Sequence, residues 1–318
     1  MSGPDPQVPQ VVAIVGPTAA GKSAVAVEVA SHLNGEIISL DARQVYRDMP
    51  IGTAQPRDRD RKRIEHHLYG FRDPGEPVSA GEVAHLVEKT VEEVLRRKRV
   101  PIVCGGSGLY YRALTRGLFE GSRSDPGIRK KLKRELAEKG AQELLSRLEE
   151  IDPEYARIVH PNNHKRLLRA LEIFEITGRP PTEHFKQQQK KESPFHYFTV
   201  YLRANPDFLD EKIRRRTQAM LEAGWIDETR QLLEKGLDPA RAPMDSLGYR
   251  EIIHYLEGRL GHEEMVERIN IATRQYARKQ VKWFDREPVD FQVELSWNTS
   301  LDSVIPVIIE RVKKNLRV

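Results

Sequence analysis

The chain has 318 residues, 39% of them hydrophobic and 31% charged, with a formal net charge of +5. No apolar stretch reaches the ~20 residues that a membrane-spanning helix requires, and Met1 to Gln10 has neither the basic start nor the apolar centre of a secretory signal. The single cysteine, Cys104, excludes an intrachain disulfide and a multi-thiolate metal site, so the composition predicts a cytoplasmic protein without membrane contact.

The first predicted element is a short apolar strand, Val11 to Val15, which stops at Gly16 and gives way to a helical pattern from Lys22 to Leu33. A second strand, Glu36 to Leu40, ends at Asp41. A helix over Ala80 to Arg97 precedes a third strand, Val100 to Cys104, which stops at Gly105-Gly106. This alternation predicts an α/β fold with a parallel sheet covered on both faces. Cys104 reads as a small core residue. From Ser122 to Glu192 helical periodicity replaces the strand signal, punctuated by Asp125-Pro126, Asp152-Pro153, Pro161 and Pro180-Pro181. A strand returns at Pro194 to Leu202, followed by long amphipathic helices over Pro206 to Lys235 and Glu263 to Arg286. The expected organisation is a core domain of residues 1–121 and 193–318 with a mostly helical insertion over 122–192. The polar run 187–191 suits a hinge or loop.

Gly16-Pro17-Thr18-Ala19-Ala20-Gly21-Lys22-Ser23 matches G-x-x-x-x-G-K-S between a strand and a helix, the context in which that pattern cradles phosphate. Backbone N–H groups and the helix N-terminus face the anion, Lys22 neutralises it, and the Ser23 hydroxyl is placed to ligate Mg²⁺. The core is therefore read as P-loop NTPase-like. The motif serves a nucleoside triphosphate or another diphosphate equally well. However, the strand Val100 to Cys104 ends in Gly-Gly, where a motor-type ATPase carries a magnesium-binding Asp.

Ligands of open parallel sheets sit beyond the C-terminal strand ends, so Asp41 should face the same crevice as the phosphate loop. It can serve there as a general base, as a magnesium ligand through water, or as a cap on the following turn. On the helix beginning at Pro206, residues Leu209, Ile213, Arg216 and Met220 share one face, and Arg216 interrupts its apolar stripe. An inward guanidinium requires an anion, which is either a substrate phosphate or an internal carboxylate.

Positive charge is concentrated in the insertion. Residues 121–195 carry 16 Lys and Arg against 12 Asp and Glu, an excess of four within the net +5 of the chain. On a helix over Asn163 to Ile176, Leu167, Leu171 and Phe174 are expected to face inward, while Lys165, Arg169 and Glu172 share another face beside Arg166. Arg274, Arg278 and Lys282 form a second stripe. Such faces either grip a phosphate backbone or are merely solvated. His66 and His67 read as a loop pair.

The phosphate loop, Asp-Ala-Arg-Gln-Val-Tyr-Arg-Asp-Met-Pro-Ile-Gly-Thr-Ala at 41–54 and Gly-Gly-Ser-Gly-Leu-Tyr at 105–110 together resemble the tRNA dimethylallyltransferase (IPP transferase) family. Asp-Pro-Glu-Tyr-Ala-Arg-Ile at 152–158, residues 163–170, Leu-Gly-Tyr-Arg at 247–250 and Ala-Thr-Arg-Gln-Tyr-Ala-Arg-Lys-Gln at 272–280 continue the likeness in the family's order. The resemblance implies transfer of a dimethylallyl group from its diphosphate to N6 of the adenine immediately 3′ of the tRNA anticodon. It gives Asp41 the role of general base and Arg216 that of diphosphate-binding arginine. By the same resemblance Gly16, Thr18, Ala19, Ala20, Gly21, Lys22 and Ser23 would hold diphosphate rather than ATP, with the Mg²⁺ that the loop pattern predicts at Ser23. The same resemblance implies contacts to the anticodon stem-loop from Asp41, Ala42, Arg43, Gln44, Ser107, Arg129, Lys165, Arg166, Arg169, Gly248, Tyr249, Arg250, Arg278, Lys279 and Lys282. Ala42 stands where the family often has Ser, and Ser107 where Thr is usual. Two other readings compete: a small-molecule or nucleotide kinase, which would consume ATP, and a non-catalytic RNA-binding switch. No coiled-coil seam calls for a dimer, and a monomer is expected.

Overall fold

The structure, a computed structural model, describes residues 10–117, 124–187, 193–299 and 301–316. The Pro-rich start, the junctions of the insertion near 121/122 and 192, and residues 188–191 of the polar run lie outside them. In chain order the elements begin with β1 (Gln10–Val15), α1 (Lys22–Leu33), β2 (Gly35–Ser39), α2 (Asp58–Arg63), β3 (His66–His67), α3 (Ala80–Arg96), β4 (Val100–Gly105) and α4 (Gly108–Arg116). They continue with α5 (Pro126–Ile151), α6 (Pro153–Ala156), α7 (His164–Thr177), α8 (Pro181–Gln187), β5 (His196–Ala204) and α9 (Pro206–Glu222). The last are α10 (Trp225–Glu234), α11 (Tyr249–Leu256), α12 (His262–Phe284), β6 (Phe291–Leu295) and α13 (Leu301–Leu316). The chain divides into two compact units, one from the segments before Arg116 and after Ser193, the other from Arg116–Ser193.

The larger unit is built on six parallel strands in the order β3-β2-β4-β1-β5-β6. β1 sits inside the sheet and is covered on both faces, which explains why Val11 to Val15 is uniformly apolar instead of alternating. Side chains still alternate by pleat: Val12 and Ile14 join one cluster with α1, α9 and α13, and Val11, Ala13 and Val15 join another with α3 and α4. Complete burial of such side chains stabilises by roughly 1.5–3 kcal/mol each.

The end of β4 passes so close to β2 that a Cβ on Gly105 would lie 2.0 Å from the Leu40 carbonyl oxygen. Only glycine permits that approach, which aligns the two strand ends: Leu40 N–H donates to the Cys104 carbonyl at 2.8 Å, and Asp41 emerges just beyond. A third cluster forms where Met49 meets Trp225, Tyr249, Ile252 and Ile269 of α10, α11 and α12.

Two expectations for the larger unit need correction. The helix expected over Pro206 to Lys235 is two helices, because Gly224 adopts a left-handed φ of 97° that ends one and opens the next. His66 and His67 are not in a loop: they form the edge strand β3, where His67 Nε2 lies 2.7 Å from Glu36, which also pairs with Arg97. No sequence-based expectation covered β6 or α13. β6 adds to β5, and α13 packs on α1 with Ile308, Ile309 and Val312 buried.

The smaller unit is helical. α5, interrupted at Gly140, packs on α7 around Leu132, Leu144, Leu148, Leu167 and Leu171. Glu172 does not share an exposed face with Lys165 and Arg169. It is 1% exposed and accepts hydrogen bonds from Ser124 Oγ, Asp125 N–H, Arg129 and Arg169. Burial opposes its charge, but the bonds from Ser124 and Arg169 and the fields of both arginines more than offset that, holding its carboxyl below the usual range. The reason for the correction is this neutralisation, which lets a carboxylate sit in an otherwise apolar helix face.

Candidate active site

A cavity of about 530 Å³ opens in the larger unit beside the phosphate loop and the ends of β2 and β4. β1 has β4 on one side and β5 on the other, so this is the switch point at which parallel sheets leave a crevice. Thr18, Lys22 and Ser23 reach it from the loop and α1, and Asp41, Ala42, Arg43 and Gln44 from the end of β2.

The loop is braced rather than free. Gln280 Oε1 accepts from Thr18 N–H at 2.8 Å, and Gln280 Nε2 donates to the Gly106 carbonyl at 2.8 Å, so α12 joins the phosphate loop to the end of β4. Lys22 Nζ donates to the Pro17 carbonyl at 2.7 Å. Burial lowers its pKa to about 8, assisted by Arg216 and opposed by Cys104 and Asp41. Cys104 is pushed up to about 11, first by burial, and stays a neutral thiol at pH 7.

Arg216 is brought in by α9, where Ile213, Arg216, Thr217 and Met220 recur at i, i+3, i+4 and i+7 and all line the cavity. Its Nη1 donates to Thr18 Oγ1 at 2.8 Å. Among the described residues no carboxylate pairs with it in a salt bridge. Burial lowers its pKa and the field of Asp41 raises it. The internal ion pair open at the sequence level is thus not what holds Arg216. Asp41 itself is fixed by its own loop: Oδ1 accepts from Arg43 N–H at 2.8 Å, an Asx turn. Ala42 N–H donates to Ser107 Oγ at 3.0 Å, and Gln44 Nε2 donates to the Ala54 carbonyl at 2.8 Å.

Of the other residues expected to touch RNA, Arg278, Lys279 and Lys282 are exposed on α12, and Lys165 and Arg166 are exposed at the start of α7. Arg129 and Arg169 are engaged with Glu172. Arg250 is exposed and reaches Glu251 at 2.5 Å. Tyr249 departs from the expectation of an RNA contact: it is 1% exposed, donates its hydroxyl to Glu228 at 2.7 Å and packs edge to face on Trp225, as a wall of the cavity. Gly248 is buried behind the same Trp225 ring. Arg274 leaves the exposed stripe, drawn to Glu267 and Asp210.

Sequence reasoning gave no site role to Gln280 or Tyr276, and it missed Trp225 and Ile269, which complete the apolar wall that Met220 begins. Gln280 carried a usable signal, because it breaks the buried stripe Ala277, Gln280, Phe284 just as Arg216 breaks its own.

The chain matches the family described as IPP transferase over residues 44–287. It is 44% identical over 276 residues to the tRNA dimethylallyltransferase of Thermotoga neapolitana, covering 86% of this chain and 89% of that protein. Against the tRNA dimethylallyltransferase of Syntrophobacter fumaroxidans the identity is 39% over 293 residues, covering 92% and 84%. The crystal structure of the tRNA isopentenylpyrophosphate transferase from Bacillus halodurans superimposes with a TM-score of 0.71 at 34% identity, covering 97% of each chain. A eukaryotic dimethylallyltransferase acting on tRNA superimposes at 0.81 and 28% identity, covering 96% of this chain and 80% of that one. With the family match running from the loop after β2 through α12, and with relatives up to 44% identical over most of its length, the chain belongs to the IPP transferase family, that of the tRNA dimethylallyltransferases.

Proposed function

We propose that the protein transfers a dimethylallyl group from dimethylallyl diphosphate to N6 of the adenine immediately 3′ of the tRNA anticodon, releasing diphosphate. The observation that carries this reading is that one cavity combines a cationic end, Lys22 with Arg216, an apolar wall, Met220 with Ile269, and a carboxylate, Asp41. A nucleotide phosphate donor needs the first of these but not the apolar wall; a prenyl diphosphate uses both. Loop N–H groups, Lys22 and Arg216 hold the diphosphate, and the wall excludes water around the five-carbon chain. As adenine N6 bonds to C1 of the donor, the C1–O bond breaks, its electron pair leaves on the diphosphate, and Asp41 takes the N6 proton. Lys22 and Arg216 face the charge that grows on the departing oxygen.

Magnesium suits this site because the Ser23 hydroxyl and the Asp41 carboxylate on its wall are hard oxygen donors. When bound there, the ion would offset diphosphate charge. The anticodon stem-loop is the partner, gripped by exposed Lys165, Arg166, Arg278, Lys279 and Lys282, and the protein works as a cytoplasmic monomer.

The deciding experiment offers unmodified tRNA with either dimethylallyl diphosphate or ATP and digests the product for mass spectrometry. A dimethylallyl mass gain on adenosine with the prenyl donor alone is expected. Consumption of ATP without that gain would replace this reading with a kinase. Affinity for tRNA should fall by roughly 100-fold between 50 and 200 mM salt if three or four of these cations displace counterions. A flat salt response would remove the phosphate-backbone grip.

The depressed pKa of Lys22 also sets a pH dependence. Below about 8 the ammonium is charged and holds diphosphate; above it the charge is lost unless ligand restores it. Affinity for a non-reactive dimethylallyl diphosphate analogue should therefore weaken as pH rises from 7.5 to 9.5, and Lys22→Met should flatten the curve. Calorimetric titration checks this, and identical pH profiles for the two proteins would exclude Lys22 as the titrating group.

A further inference from the structure

We infer that Tyr276 is the stacking platform on which the target adenine rests when it enters the cavity, a role that builds on the transferase reading above. Five aromatic side chains line the cavity: Tyr46, Tyr110, Trp225, Tyr249 and Tyr276. The first four are 7% exposed or less, each locked into a core cluster, whereas Tyr276 is 42% exposed. Of the five, Tyr276 is thus the one that offers the most uncovered surface to a base arriving from solvent.

The placement of Tyr276 is specific. On α12, Thr273, Tyr276 and Gln280 lie at i, i+3 and i+7, all on the cavity wall, so the ring stands one turn from the glutamine that braces the phosphate loop. Its hydroxyl lies beside the Ser107 hydroxyl and within the fields of Asp41 and Arg43. Ser107 in turn accepts from Ala42 N–H, next to Asp41. The polar end of the ring is thus near the proposed base, and the side chain leaves surface open to solvent. A single exposed aromatic is ordinary on protein surfaces. One on the wall of a cavity, beside the phosphate-loop brace, offers its apolar face where a substrate enters.

A base pulled from an anticodon loop loses its stacking neighbours, and an aromatic ring is the usual replacement. Exposed Arg278 and Lys279 follow within one turn, where they can meet the phosphates flanking such a base. Tyr276 and Asp41 line the same cavity, so a purine stacked on the ring would share that space with the proposed base.

The test uses the full chain with an anticodon stem-loop carrying 2-aminopurine at the target position, together with steady-state kinetics on the unmodified stem-loop. Stacking on Tyr276 should keep 2-aminopurine quenched in the wild-type complex. Tyr276→Ala should brighten it several-fold and raise KM for the stem-loop between about 5- and 150-fold. KM for dimethylallyl diphosphate should stay within about two-fold, and Tyr276→Phe, which keeps the π face, should behave as wild type. Wild-type fluorescence and KM in Tyr276→Ala would overturn the inference, and so would a parallel rise in both KM values, which marks a structural role. If wild type leaves the stem-loop unprenylated, the transferase reading fails as well, an outcome distinct from either.

Discussion

Asp41→Asn is expected to slow single-turnover prenyl transfer by about 10²–10⁴-fold while tRNA binding changes little. Asn keeps the side-chain oxygen that accepts from Arg43 N–H, so the turn that presents residues 42–44 to the cavity survives the substitution. What is lost is the capacity to take the N6 proton as the adenine amine, a weak nucleophile, bonds to C1. Filter binding of tRNA beside a rapid-quench rate separates the two effects. A variant that retains most of the wild-type rate would remove Asp41 from proton transfer, whereas a large loss of tRNA affinity would make it a binding residue.

Arg216→Gln should lower kcat/KM for dimethylallyl diphosphate by about 10²–10³-fold, with KM for tRNA little altered. Gln is two bonds shorter and gives up the contact that Arg216 makes with the Thr18 hydroxyl at 2.8 Å, but it keeps the stem that packs on the α9 wall, so the wall should keep its place. The guanidinium is missed when charge accumulates on the leaving diphosphate, and the loss should therefore appear in kcat as well as in donor KM. Arg216→Lys should recover only part of the rate, since a point charge cannot reproduce a planar fork across two phosphate oxygens. Equal damage to donor and tRNA kinetics would instead indicate a collapsed cavity.

The parts of this site that could be read from the sequence are those announced by local exceptions. A glycine-rich stretch between an apolar strand and a helix, an acid at a strand end and an arginine within an apolar stripe each break a local pattern, and all three line one cavity. Gln280 is a similar exception that went unread. Tyr276 carries no such mark, because a tyrosine on a helix looks the same whether its ring faces solvent or a cavity. Its meaning depends on Ser107 and Asp41, which are 169 and 235 positions away in the chain. Glu172 shows the opposite failure: helical periodicity put it with Lys165 and Arg169 on an exposed face, yet Ser124 and Arg129, more than 40 residues earlier, neutralise it inside the fold. The break at Gly224 was legible in principle, since glycine favours the left-handed cap that a continuous amphipathic stripe conceals.

The order of the strands also matters while the protein is being made. β1 lies between β4 and β5, but β4 is complete at Gly105 and β5 begins only at His196, with the whole helical unit encoded between them. At synthesis rates of roughly 5–20 residues per second, β1 waits about 4–16 s with one edge unpaired after the first segment is finished. The intervening helices contact mainly their own neighbours and can fold in that interval, whereas an open parallel edge is a template for misassociation. Until β5 arrives, the growing chain therefore carries four of its six strands with the inner edge of β1 open.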